Sequence, residues 1–196
     1  MVNYNFKPRR SQDDYGWHSR GYLPHFDGPE RTQFLTFRLF DSMPRNVVDE
    51  WRRESSNDIQ FRKNVEKYLD AGHGSCWLRL PEIASIVGNS LLFHHHSKYD
   101  LHSWVIMPNH VHVLLTPLAG CHLDQVEHSI KSYSANEANK LLGRKGQFWA
   151  IECFDRYIRD SRHFNAVIRY IENNPVKAGL CRRTEDWPFS SAGGAH

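Results

Sequence analysis

Stretches with a two-residue hydrophobic period and stretches with a helical one take turns along this chain. Residues 32–40, TQFLTFRLF, are aromatic and β-branched and predict a first strand. Pro44 opens a charged helical stretch to about residue 69, with Val47, Val48, Trp51, Val65 and Leu69 as its apolar positions, and AGHG at 71–74 breaks it. A second helix is expected over 81–95, because Pro81 suits a first turn. Residues 101–107 and 110–116 read as a hairpin turning at Pro108 and Asn109. A helix over 123–142 stops at Gly143, residues 147–153 suggest another strand, and a helix over 161–173 is ended by Pro175. This order predicts an α+β fold, one antiparallel sheet with helices packed on it. Residues 1–31 have neither period and read as an extended arm. Residues 32–191 read as a single domain with a charged helical insertion at about 45–96, and 192–196 as a tail.

Composition narrows the class. No apolar run approaches the ~20 residues that span a bilayer, and MVNYNFKPRRSQDD lacks the apolar core of a secretory signal, so a cytoplasmic protein without membrane partners is expected. Cys76, Cys121, Cys153 and Cys181 are widely spaced, which fits reduced packing residues rather than a zinc knuckle or disulfide framework. The net charge of +3 is mild, but between Lys140 and Arg183 ten basic residues meet only four acidic ones. That local surplus suits either a phosphate backbone or an ordinary solvated face.

The sharpest chemical feature is MPNHVHVLL at 107–115. Side chains alternate along a strand, so His110 and His112 project from one face, with Cα atoms roughly 7 Å apart at ~3.3–3.4 Å per residue. Two imidazoles so placed can hold one metal ion; either could equally be an ordinary hydrogen-bonded histidine. Val111, Val113 and Leu115 then face the core. In the helix over 161–173, Phe164, Val167, Ile168 and Ile171 form an apolar stripe, and His163, Tyr170 and Asn174 lie along its flank. Tyr170 there is either an amphipathic boundary residue or a nucleophile. Asn174 offers an amide oxygen one turn on, although the following proline argues against a helical backbone. His94, His95 and His96 are expected to bond the carbonyls of a helix end. Tyr133 and Tyr157 are rival nucleophiles, and Phe148, Trp149 and Phe154 are expected in the core.

The segments WVIMPNHVHVLL, GQFWAIECFDRYIRD, YIENNPVKAGL and EDWPFSS, together with GYLPHFD at 21–27, resemble the REP-associated tyrosine transposases, a branch of the single-tyrosine HUH transposases. The likeness runs over about 32–191. It implies a ferredoxin-like sheet, a divalent metal (Mg2+ or Mn2+) on His110 and His112 with Asn174 as third ligand, and Tyr170 as nucleophile. It further implies cleavage and rejoining of single-stranded REP-type hairpin DNA through a 5′-phosphotyrosine, in a bacterial, nucleoid-associated protein acting as a monomer or homodimer. Arg144, Lys145, Arg156, Arg159 and Arg162 are candidates to hold the DNA backbone, and Tyr15, Trp17 and Tyr22 to stack on bases. A nucleic-acid-binding regulator of the same fold without cleavage activity, and a metal-dependent hydrolase, are the rival readings. The length and charge of the 45–96 region have no counterpart in this expectation.

Overall fold

The computed structural model describes residues 16–19, 24–27, 30–55 and 57–193. Strand β3 (Gln33–Arg38) is followed by helices α1 (Arg45–Glu54), α2 (Asp58–Asp70) and α3 (Pro81–Leu92). The hairpin β4 (Tyr99–Ile106) and β5 (His110–Pro117), helix α4 (Leu123–Leu141), strand β6 (Phe154–Tyr157) and helix α5 (Ser161–Lys177) complete the domain. The strands form a four-stranded antiparallel sheet in the order β4-β5-β3-β6. Numbered within the sheet, that is the 4-1-3-2 arrangement of a ferredoxin-like fold read from its other edge. The α+β expectation holds.

Register decides which residues share a face, because directly paired residues of an antiparallel ladder point the same way. Thr36 pairs with His112 and with Phe154, Arg38 with His110, and Phe34 with Leu114 and Arg156. These side chains line one face. Leu35, Phe37, Val111, Val113 and Leu115 line the other and join residues of α3 and α4, with Trp149, in the main core. The first face is covered by α5, whose Val167 and Ile171, with Phe164 and Ile168 at their margin, pack on Val105, Met107 and Leu114. The sheet is therefore sandwiched, α3 and α4 on one side and α5 on the other.

Several boundaries differ from those read in the sequence. The charged helical stretch is broken at 55–57, where Asn57 adopts an extended backbone and its side-chain oxygen accepts from Gln60 N–H, starting α2 afresh. Residues 147–153 are not a strand: Trp149 makes a single bridge to Leu39, and the ladder with β3 is made by β6 further on. Phe148 and Trp149 are buried there as expected, so their hydrophobicity fills a core gap beyond the end of β3; Phe154 is half-buried against a smaller cluster. Helix α5 runs through Pro175 rather than stopping before it. A proline so near a helix end forfeits one hydrogen bond, and burial of its ring and of Asn174 offsets that loss; Gly179, at φ +70°, makes the turn that follows. Within the arm, β1 (Gly16–Ser19) and β2 (Pro24–Asp27) pair antiparallel, so it is not simply extended; Tyr15 and Tyr22 lie outside the described residues.

The β4 edge is closed by the C-terminal segment. Ile106 N–H donates to Phe189 O, Ser191 N–H donates to Trp104 O, and Trp187 Nε1 donates to Ile106 O at 2.9 Å. Backbone groups that would otherwise stand open at a sheet edge are thereby used. No helix among the described residues is long and apolar enough to cross a membrane.

Candidate active site

His110 and His112 open β5 and project from the face that α5 covers. Both are buried, at 1% exposure each, and their rings lie 4.7 Å apart between centroids. Each Nδ1 is held by a neighbour: Thr36 Oγ1 lies 2.9 Å from His112 Nδ1, and Asn109 Oδ1 lies 2.8 Å from His110 Nδ1. The Asn109 amide nitrogen donates to His73 O at 2.9 Å, which leaves Oδ1 as the atom that accepts from His110. The His110 proton therefore sits on Nδ1. Its Nε2, and that of His112, are buried with no hydrogen-bond partner among the described residues. Burial pushes the His110 pKa down to about 3, and depresses His112 strongly in the same direction, with His110 and Lys177 adding repulsion at His112. Neutral imidazoles whose outer nitrogen is anchored and whose inner nitrogen is free suit metal ligation.

Helix α5 brings Tyr170 onto this pair. The Tyr170 ring lies 5.4 Å from the His112 ring and 5.8 Å, edge-on, from Phe34. Its hydroxyl is buried without a formed hydrogen bond. Burial, then the charges of Glu66 and Asp70, raise the phenol's pKa well above its ordinary value, so it is held protonated; the Asn174 amide works weakly the other way. Asn174, one turn on, is buried, and neither its amide oxygen nor its nitrogen has a partner. Orphaned polar atoms thus converge from β5 and α5, a pattern that leaves the buried groups undersatisfied unless something else bonds them.

The region whose purpose the sequence left open supplies the rest of the site's polar groups. Helix α2 is docked by Phe61, Val65 and Leu69 against Met43, Val48 and Phe154. Glu66 and Asp70 follow the last two of those apolar residues, one helical turn apart, and so border the buried stripe. Asp70 Oδ1 lies 3.9 Å from His110 Nε2, and Oδ2 accepts from Lys177 Nζ at 2.9 Å. Burial raises the Glu66 pKa, partly offset by Lys177. Two carboxylates at i and i+4 beside an apolar stripe are the one signal that could have marked them.

The expected DNA-contacting residues divide into two places. Arg156 on β6 faces the same side as the histidines, contacts the His163 ring, and senses the charges of Arg62 and Arg159. Arg159 and Arg162 are exposed nearby at the start of α5, whose cap, Asp160, accepts from His163 N–H at 2.7 Å. His163 is engaged in this cluster. Arg144 and Lys145 instead follow α4 in the opposite layer, lining a shallow surface pocket with Tyr133, Asn136 and Lys140. Tyr133 is exposed in that layer, and Tyr157 lies on β6, so neither is set against the histidine pair as Tyr170 is. The 94–96 histidines do not bond helix-end carbonyls through their rings. His95 Nδ1 accepts from Leu101 N–H at 3.0 Å, and His96 bonds Asp100 at 2.9 Å. His95, His96 and Asp100 form the one tight trio of ligand-type atoms among the described residues, and those bonds already engage all three groups.

Residues 91–174, which contain the histidine pair, Tyr170 and Asn174, match the family described as Transposase IS200 like. A REP-associated tyrosine transposase of Escherichia coli (strain K12) is 28% identical over 93 residues. Over that stretch this chain is similar to a REP-associated tyrosine transposase. The matched stretch is 47% of this chain and 54% of that protein, so it spans about half the length of its curated relative. A solved REP-associated tyrosine transposase, itself bound to a REP hairpin, shares the fold with a TM-score of 0.52 at 20% identity, over 85% of this chain and 79% of that one.

Proposed function

We propose that this chain cleaves and rejoins single-stranded DNA at REP-type hairpins, with Tyr170 as nucleophile and a divalent ion, Mg2+ or Mn2+, held by His110, His112 and Asn174. The observation that carries the reading is the placement of the Tyr170 ring 5.4 Å from His112, over a histidine pair whose Nε2 atoms are buried and unbonded. The donor set of two imidazole nitrogens and one amide oxygen fits such an ion. When bound, it would polarise the scissile phosphate and neutralise charge on its non-bridging oxygens.

The chain's own residues do the remainder. Thr36 and Asn109 lock the imidazoles in orientation. The Tyr170 hydroxyl stays protonated until attack, and Glu66, whose charge acts on it and whose carboxyl is made more basic by burial, is the group we assign to receive its proton. The phenolic oxygen bonds to phosphorus as the bond to the 3′ oxygen breaks, and the departing oxygen takes up a proton to become a 3′ hydroxyl. The phosphotyrosine ester retains the energy of the broken bond, so the reverse attack by a 3′ hydroxyl needs no nucleotide cofactor. Arg156, Arg159 and Arg162 would hold the DNA backbone beside the site; Arg144 and Lys145 would serve a more distant part of the strand.

Incubation of the full chain with end-labelled hairpin DNA and Mn2+, followed by a denaturing gel, tests this reading. A protein–DNA adduct is expected, lost in Tyr170→Phe and retained in Tyr133→Phe and Tyr157→Phe. Hairpin binding without any adduct would replace it with a non-cleaving regulator, and cleavage that survives Tyr170→Phe with a water-using hydrolase.

A further inference from the structure

We infer that Asp70, on the helical insertion, is a fourth protein ligand of the metal site, so that the ion is bound before any DNA arrives. The inference rests on the histidine-pair reading above and deepens it.

Its basis is the contact between Asp70 and His110. Because the His110 proton is committed to Asn109, Nε2 presents a lone pair, and it faces Asp70 Oδ1 at 3.9 Å with no hydrogen bond on either atom. Two electron-rich atoms turned toward each other in a buried setting repel. A cation between them converts the contact into an attraction, and the gap is smaller than two metal–ligand bonds of about 2.1 Å laid end to end. Position is not accidental either: Leu69, at 1% exposure, pins the end of α2, so the carboxylate is aimed by core packing.

Charge points the same way. Imidazole ligates only in its neutral form and Asn174 is an amide, so His110, His112 and Asn174 bring no negative charge, while Lys177 adds a positive one nearby. A divalent ion placed there without an anion would be buried with its charge unbalanced, which is costly. Asp70 supplies the missing negative charge from within the protein. Lys177 holds its second oxygen at 2.9 Å and competes for the carboxylate's negative charge. If Asp70 served only as the partner of Lys177, whose side chain is 52% exposed, that surface pair would contribute little and metal affinity would ignore it.

Titration of Mn2+ alone into the DNA-free full chain, followed by the loss of the free-ion EPR signal, separates the cases. Asp70→Asn, with its circular dichroism compared to the parent, is expected to weaken Mn2+ binding about tenfold or more, since even outer partners of a metal site cost 10–100-fold. His112→Ala is expected to abolish binding. Lys177→Met, which alters an exposed side chain, is expected to tighten it by freeing the carboxylate, and this variant decides the matter should Asp70→Asn fold poorly. Unchanged affinity in Asp70→Asn or in Lys177→Met, with His112→Ala still inactive in binding, would overturn the role of Asp70 alone. Binding that survives His112→Ala would instead overturn the metal site on which it depends.

Discussion

Replacing Tyr170 by phenylalanine removes one oxygen and leaves the ring contacts with Phe34 and His112 in place. In the folded protein that oxygen is buried and makes no formed hydrogen bond, whereas in the unfolded chain it is hydrated. An unbonded buried polar group costs ~1–3 kcal/mol. Glu66 and Asn174 both act electrostatically on the hydroxyl and recover part of that cost, so the lower end applies, about 1 kcal/mol. For a chain of this size the gain corresponds to a rise in Tm of ~2–4 °C. Thermal unfolding of metal-free protein at neutral pH, followed by circular dichroism, measures it. The variant is therefore expected to be more stable than its parent while forming no adduct, the signature of a site that trades stability for chemistry. An unchanged or lowered Tm would mean that the hydroxyl is well bonded in the folded state, and the idea of a poised, undersatisfied phenol would fail.

Other expectations follow from the same contacts. Thr36→Val keeps the shape of the side chain but removes the hydroxyl that holds His112 Nδ1, and is expected to weaken Mn2+ binding by about 10–100-fold in a direct titration. Both histidine pKa values are depressed on folding, so below ~6.5 the unfolded chain takes up protons that the native state refuses. Stability should thus be level above that pH and fall as pH drops from ~6.5 toward 3, by up to about 1.4 kcal/mol per pH unit for each ring; urea melts of His110→Gln should show a shallower slope. Arg156→Ala should weaken hairpin binding and lower the slope of log affinity against log salt by about 0.7, the value for one single-strand phosphate contact.

Much of the site could be read from local rules, because its central parts are local. The two-residue period of β5 puts His110 and His112 on one face whatever the rest of the chain does, and the stripe Phe164, Val167, Ile168 and Ile171 fixes which side of α5 meets the sheet. Which face of the sheet α5 would cover was not legible, since it depends on the crossover after β6. Pro175 misled, because a proline's cost near a helix end is small enough for tertiary burial to overcome. Glu66 and Asp70 were invisible for a different reason: their meaning arises only when Phe61, Val65 and Leu69 dock α2 beside β6, which sets Asp70 against a histidine 40 residues further along the chain. Trp149 shows the reverse error, a hydrophobic run that looks like a strand and is spent on filling the core.

Because α5 lies on the sheet of its own chain, phenol and imidazoles are inherited by each molecule as a set. Dilution should then leave the adduct yield per molecule unchanged. Equal amounts of His112→Ala and Tyr170→Phe protein, mixed and given hairpin DNA, should fail to complement one another, since neither can lend the other its missing half.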